Sequence, residues 1–425
     1  MNEALASDAP VGREATGASP QPLLSGALKD RALRLAGQLT RTMRPASGDE
    51  AGYPDASLAS GAAGLAVCCG QLARTRSDRQ AADAALTCLE EAVGVLATQP
   101  LTSSLYSGFT GIAWAVELVD QLLGAEGEDR NGDIDAALAS LLRRYPEHAP
   151  YDLIDGLTGL GVYALVRWPR PGALTCVLAV VEQLARRARQ DRDGVYWWTP
   201  SRPGLPLQQY RPGGVDLGVA HGIAGVIPFL ARVHRLGLGG PTVRPLLDGA
   251  VRWLLAHLVD TASGPTVPYF VAGGVEPGPA RSAWCYGDPG VAAALLLAAR
   301  DVGEPAWAAE ATGLAVRAAA RPPAQTGVVD AGLCHGSAGL AHLFNRMYQL
   351  TAEPALADAA RFWIERTLEL GSGELGSAYH GTGLLEGSGG VALALEAAST
   401  TAEPVWDQML LVSTPGTTGT PGARA

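Results

Sequence analysis

Residues 333–350 read "LCHGSAGLAHLFNRMYQL": a cysteine and a histidine set against a Gly-x-x-Gly turn that opens directly into an apolar run. The turn recurs along the chain as Gly61/Gly64, Gly108/Gly111, Gly156/Gly159, Gly222/Gly225, Gly287/Gly290, Gly336/Gly339 and Gly387/Gly390. The first glycines are separated by 47, 48, 66, 65, 49 and 51 residues, so the repeat unit is near 50 residues with longer steps on both sides of the fourth turn. A fixed period of this length is the signature of a repeated supersecondary unit.

Each glycine pair is followed by a run that is apolar on more than one face, such as "VAAALLLAAR" at 291–300, as expected of a helix packed on several sides. Between these runs lie more charged segments at 30–43, 79–97, 133–144, 171–190, 244–259, 305–320 and 354–369, with apolar residues at i, i+3 and i+4. The spacing predicts an outer amphipathic helix, a loop, a glycine turn and an inner apolar helix in every repeat. No single hairpin can bury its inner face, and closing seven into a ring buries all of them. The expected fold is all-α, an α/α toroid of seven helical hairpins spanning residues 26–411, with tails at 1–25 and 412–425. An open superhelix of the same hairpins is the rival. The first glycine of each pair suits a tight turn or positive φ, and the second, one turn on, suits close helix approach.

Composition narrows the function. With 47% hydrophobic and 17% charged residues the chain has ample material for a core. A net charge of −10 with no basic concentration excludes general nucleic-acid binding. The N-terminus lacks a basic and then apolar signal pattern, and no apolar run nears the roughly 20 residues of a membrane span, so a cytoplasmic protein is expected. Six irregularly spaced cysteines suggest no disulfide framework. The Gly-x-x-Gly turns lack the Gly-Lys-Ser/Thr of a phosphate loop.

The residue before each first glycine is in turn Ser60, Ser107, Asp155, His221, Tyr286, His335 and Glu386, and near them stand Asp152, Arg281, Cys285, Cys334 and His380. If all seven junctions open on one end of a ring, these side chains meet in one concave site. Cys285, Cys334 and His335 form a three-ligand set suited to zinc with a fourth position open, because equivalent positions of adjacent hairpins are neighbours in space. Cys68, Cys69, Cys88 and Cys176 lie inside apolar helical runs and read as buried small hydrophobes. His148, His234, His257 and His342 lie away from the junctions. His221 can be a fourth ligand, a satisfied polar group or a general acid/base; Asp152 can orient it or cap a helix. The Pro/Gly-rich stretches 193–218 and 263–282 can line an entrance or cover the ring edge.

"SAWCYGDPG" at 282–290 and "LCHGSAGL" at 333–340, with "AHGIAG" at 220–225 upstream, resemble the lanthionine synthetase C-like family over roughly residues 26–411. The resemblance implies an α/α toroid with one zinc ion held by Cys285, Cys334 and His335. It implies His221 as acid/base assisted by Asp152, with Arg281 and Tyr286 completing the catalytic set. The implied reaction is intramolecular addition of peptide cysteine thiolates to dehydroalanine or dehydrobutyrine, giving lanthionine or methyllanthionine rings. The implied partners are a dehydrated precursor peptide, a separate dehydratase and an export complex through which the enzyme would sit peripherally at the membrane. An intermolecular thiol-adding enzyme of the glutathione type, and a non-catalytic peptide-binding scaffold, are the alternatives.

Overall fold

The computed structural model describes residues 20–43, 55–125, 129–201, 213–371 and 378–413. Seven inner helices alternate with seven outer ones. The outer helices are α1 (Gly26–Thr42), α3 (Arg79–Leu96), α5 (Gly132–Arg143), α7 (Pro171–Arg187), α9 (Val243–Ala256), α11 (Pro305–Ala320) and α13 (Pro354–Gly371). The inner helices are α2 (Ala62–Arg76), α4 (Phe109–Leu123), α6 (Leu157–Val166), α8 (Ile223–Arg235), α10 (Asp288–Val302), α12 (Ser337–Thr351) and α14 (Ser388–Ser399). Every described residue of α6 is buried, whereas α3 buries one stripe, Ala81, Ala85, Cys88, Leu89, Ala92 and Val95.

Each inner helix packs on the next, and α14 packs back on α2, so the ring is closed and the open superhelix is excluded. Pairing within the hairpins differs from the expected order. Most outer helices pack on the inner helix before them, as in α2 with α3 and α12 with α13, while α5 packs mainly on its outer neighbour α7 and α1 pairs with α14. The first and last helices therefore close the ring together, reinforced where Leu24 N–H donates to the Ala398 carbonyl at 3.0 Å.

The structure decides between the two roles open to the first junction glycines, a tight turn and positive φ. Of the seven first glycines only Gly287 has positive φ, at 88°; the rest are extended helix caps, for example φ −119° and ψ −171° at Gly108. Their requirement is steric. A Cβ at Gly108 would lie 2.2 Å from the Thr102 carbonyl oxygen, and one at Gly111 would lie 2.0 Å from that of Leu105 and 3.0 Å from the Leu58 side chain. Each loop folds tightly over its own helix start, and at Gly64, Gly111, Gly159, Gly225 and Gly390 a leucine of the neighbouring loop seats on the second glycine.

Backbone hydrogen bonds then stitch loop to loop around the ring: Ala59 N–H to Tyr106 O, Leu153 to Ala220, Ala220 to Cys285, Trp284 to Cys334, Leu333 to Leu385, and Leu385 back to Ala59. All seven junctions thus lie at one end. The two long connections there are clipped together by an antiparallel ladder pairing Val215 with Val271 and Asp216 with Phe270. Part of the first connection, 202–212, lies outside the described residues.

The last described segment enters the ring. After α14 a 3-10 turn, Val405–Leu410, and the residues to Ser413 pack on α2 and α6, bond to α12 through Asp407 and His342 at 2.9 Å, and lie beside Pro228 of α8 and Leu297 of α10. A segment that touches inner helices on every side fills the lumen. Tyr106 donates its hydroxyl to the Met409 carbonyl at 2.7 Å and Trp284 its indole N–H to Leu410 at 2.8 Å, so the plug hangs from the junction loops.

The glycine argument is tested by contrast. Gly111→Ala is expected to destabilise by at least about 1–3 kcal/mol through overpacking. Gly94→Ala, on the exposed side of α3 with nothing near its added methyl, should stabilise by about 0.5–1 kcal/mol through helix propensity. Denaturant midpoints of the two variants read both signs.

Candidate active site and metal centre

Junctions three to six bring the candidate groups together. The Trp284 and Cys285 N–H groups both point to the Cys334 carbonyl, at 3.0 and 3.3 Å, which holds the fifth and sixth loops in register. One ligand atom from each of Cys285, Cys334 and His335 comes within 4.8 Å of the others. A zinc ion with bonds of about 2.3 Å to sulfur and about 2.0 Å to nitrogen sets its tetrahedral ligands roughly 3.5–3.8 Å apart, which this cluster accommodates. Carboxylates flank the imidazole: Asp330 Oδ2 is 3.5 Å from His335 Nε2 and Glu386 Oε1 is 3.9 Å from Nδ1. Such partners orient a ligating ring.

The thiols are polarised. A hydrogen bond from the Cys334 thiol, aided by His335 and Arg281 and opposed by burial, pulls the Cys285 thiol down to about 5. The same bond, with burial, pushes Cys334 up, and contact with Cys285 raises His335. Burial drives the remaining thiols the other way: Cys69 and Cys176 rise to about 12, Cys88 to about 11, and Cys68 is also raised. The thiolate is the metal-binding and reactive form, and of the six thiols only Cys285 is drawn toward it.

Beside this cluster stands a histidine-carboxylate pair. His221 Nδ1 lies 2.8 Å from Asp152 Oδ2, while Asp152 Oδ1 accepts the Asp155 N–H at 2.8 Å. Asp152 therefore both orients the imidazole and closes its own turn. Ligand atoms of Asp152, Asp155 and His221 also fall within 4.8 Å of one another. The fourth loop touches the fifth at the metal cluster: a Cβ at Gly218 would lie 2.5 Å from the Cys285 carbonyl oxygen and 2.6 Å from the Tyr286 ring.

Tyr286 stands between the two groups. Its ring centroid is 6.5 Å from that of His221 and 5.3 Å from that of Tyr269, and its hydroxyl donates to buried Asp216 Oδ2 at 2.8 Å. Arg281 donates from Nη2 to the Gly327 carbonyl at 2.7 Å and reaches the His335 carbonyl at 3.5 Å. Its Nε is buried with no hydrogen-bond partner among the described residues.

Not all seven junctions contribute. Ser60 donates to Asp55 at 2.6 Å and Ser107 pairs with Ser104 at 2.8 Å, so both serve their own turns. His380 has an exposed side chain, and its backbone N–H donates to Glu386 O. Sequence reasoning missed Asp216 and Asp330. Both stand six residues before a first glycine, as Asp55 does, and each accepts the N–H two residues on through Oδ1 at 2.8–2.9 Å. That leaves Oδ2 to meet Ser60, Tyr286 or His335. Aligning the repeats at that offset was the available signal.

With metal removed, iodoacetamide at about pH 6.5 is expected to alkylate Cys285 ahead of Cys68, Cys69, Cys88 and Cys176. Cys285 is then above its value of about 5 and ionised while the others remain protonated. The preference should fade as pH drops through that value, as peptide mass mapping would show.

Comparison with known proteins gives one consistent direction. The family model described as "Lanthionine synthetase C-like protein" matches residues 53–411. Nisin biosynthesis protein NisC of Lactococcus lactis subsp. lactis is 24% identical over 331 residues, covering 69% of this chain and 73% of that protein. A solved structure titled "Nisin cyclase" is 20% identical, covers 90% of this chain and 96% of its own, and superposes with a TM-score of 0.69, a likeness of fold.

Proposed function

The chain belongs to the lanthionine synthetase C-like family, and from that premise we propose that it is a zinc-dependent lanthipeptide cyclase acting on a dehydrated precursor peptide. The observation that carries this reading is the convergence of Cys285, Cys334 and His335 from neighbouring loops, next to the His221–Asp152 pair. We assign Cys285, Cys334 and His335 as the ligands of one zinc ion. When bound, zinc supplies the Lewis acidity that keeps a peptide thiol ionised at neutral pH, where a free thiol of pKa about 8.5 is mostly protonated.

In the reaction the peptide sulfur gives up its proton and bonds to the β-carbon of dehydroalanine or dehydrobutyrine. The π electrons move toward the α-carbon and its carbonyl oxygen, and the α-carbon then takes a proton. Mass is unchanged. Arg281 is the group we assign to the developing oxyanion, because its guanidinium charge stands beside Cys285 and reaches the His335 carbonyl. His221 delivers the proton, with Asp152 on Nδ1 fixing the tautomer so that Nε2 faces substrate. Tyr286, anchored by Asp216, forms the wall between the two halves of the site.

The precursor's dehydro residues arise by loss of water from serine or threonine, which we assign to a separate dehydratase. No helix among the described residues is long and apolar enough to cross a membrane. We place the enzyme in the cytoplasm, with any membrane association made through an export complex.

A synthetic peptide with one cysteine and one dehydroalanine provides the test. The protein should remove its free thiol at constant mass, whereas addition of glutathione would raise the mass. Cys334→Ala should lose zinc and ring closure together, and ring formation by a zinc-free variant would sink the assignment. His221→Asn should keep zinc and lose about 10²–10⁴ in rate; an unchanged rate would remove its role.

A further inference from the structure

A cleft of about 460 Å³ opens beside His221 and Asp152 and runs outward between residues 147–151, the end of α7 and residues 197–201. Its outer wall carries Arg186, Arg187 and Arg189 against a protein of net charge −10. These guanidiniums are poorly matched by carboxylates. Arg187 donates to the carbonyls of Tyr145, Pro146 and Gln183 at 2.7–3.2 Å, and its Nε is buried without a hydrogen-bond partner among the described residues. Arg189 lies 5.1 Å over the ring of Trp198, which is 38% exposed. Among the described residues Arg186 meets Glu182 alone, at 3.7 Å, with both side chains about two-thirds exposed, an arrangement of little energetic worth.

Complementing the carbonyl end of α7 is the ordinary duty of arginines in a last turn, and Arg187 performs it. Arg189 does not, since it lies beyond the helix in a two-residue strand paired with Val195 and Tyr196. Burial lowers the Arg187 pKa, and the charge of Arg186 adds to the effect, so an anion here would relieve both. Glu147 and His148 also line the cleft, and Asp152 at its inner end is engaged by His221.

We propose that this cleft binds an acidic segment of the peptide substrate, holding carboxylate side chains on Arg186 and Arg189 with an adjacent side chain against Trp198, so that the neighbouring residue is presented to His221. The inference rests on the peptide-cyclising reading and adds a specificity site to it. The cleft's direct opening onto the histidine makes it a register device: what binds in it sets which residue lies over the reacting centre.

The test uses the zinc-loaded protein and two short fluorescein-labelled peptides with a single cysteine, identical except that one has an Asp-Glu pair where the other has Asn-Gln. Fluorescence anisotropy should show about fivefold tighter binding of the acidic peptide, reduced at high salt. In Arg186→Gln/Arg189→Gln the ratio should fall to about one. Both residues are exposed, so the variant should keep its melting temperature. Equal binding of the two peptides by the unaltered protein, or a ratio that survives in the variant, overturns the proposal. Cysteine-to-serine versions of both peptides report separately on the cyclase reading. Dependence on cysteine without acid preference would leave that reading and remove the cleft; acid preference without dependence on cysteine would do the reverse.

Discussion

Seven loops share one end of the ring because each lies flat across the start of its own inner helix, leaving its outward backbone groups to pair with the next loop. The glycines permit the first contact and the hydrogen bonds make the second. A Cβ at either glycine would sit about 2 Å from backbone atoms, as at Gly108 and Gly111. A side chain there would lift the loop and break pairings such as Leu385 with Ala59, which joins the last repeat to the first. Closure of the ring and convergence of the site residues are therefore two results of one constraint.

The site is unevenly spread around that ring. Loops one and two spend their polar side chains on their own turns, Ser60 on Asp55 and Ser107 on Ser104. Loops three to six turn theirs toward neighbours. The two long connections fall there, and their pairing through Val215 and Val271 places Asp216 under Tyr286 and Tyr269 beside Arg281, whose N–H donates to the Tyr269 hydroxyl at 3.1 Å. Extra chain length was used to build walls around the reacting groups while the helical scaffold kept its period.

How far the sequence could be read follows from where periodicity reaches. Helix number, inner and outer identity and the grouping of Cys285, Cys334 and His335 repeat along the chain, and all were legible. Helix partners were less so: α1 pairing with α14 is a property of closure that no local pattern carries. The glycines were placed correctly, but residue type left a tight turn and positive φ as alternatives; six first glycines take the tight turn at an extended φ and Gly287 takes positive φ. Asp216 and Asp330 were passed over because attention fell on the residue beside each glycine and not on the one six positions earlier. The basic end of α7 could not be recognised within the amphipathic segment 171–190, because Trp198, which faces Arg189, lies beyond a turn that only the folded chain closes.

The filled lumen limits traffic through the molecule. With Trp406, Met409 and Leu410 almost wholly buried, the described residues fill the middle of the ring. On the proposed reading, a long peptide is not drawn past Cys285, Cys334 and His335 like thread through an eye. It must be laid down from above, released and laid down again. The sequence of events along such a polymer is then governed by how it grips the rim at each landing, with no built-in direction of feed.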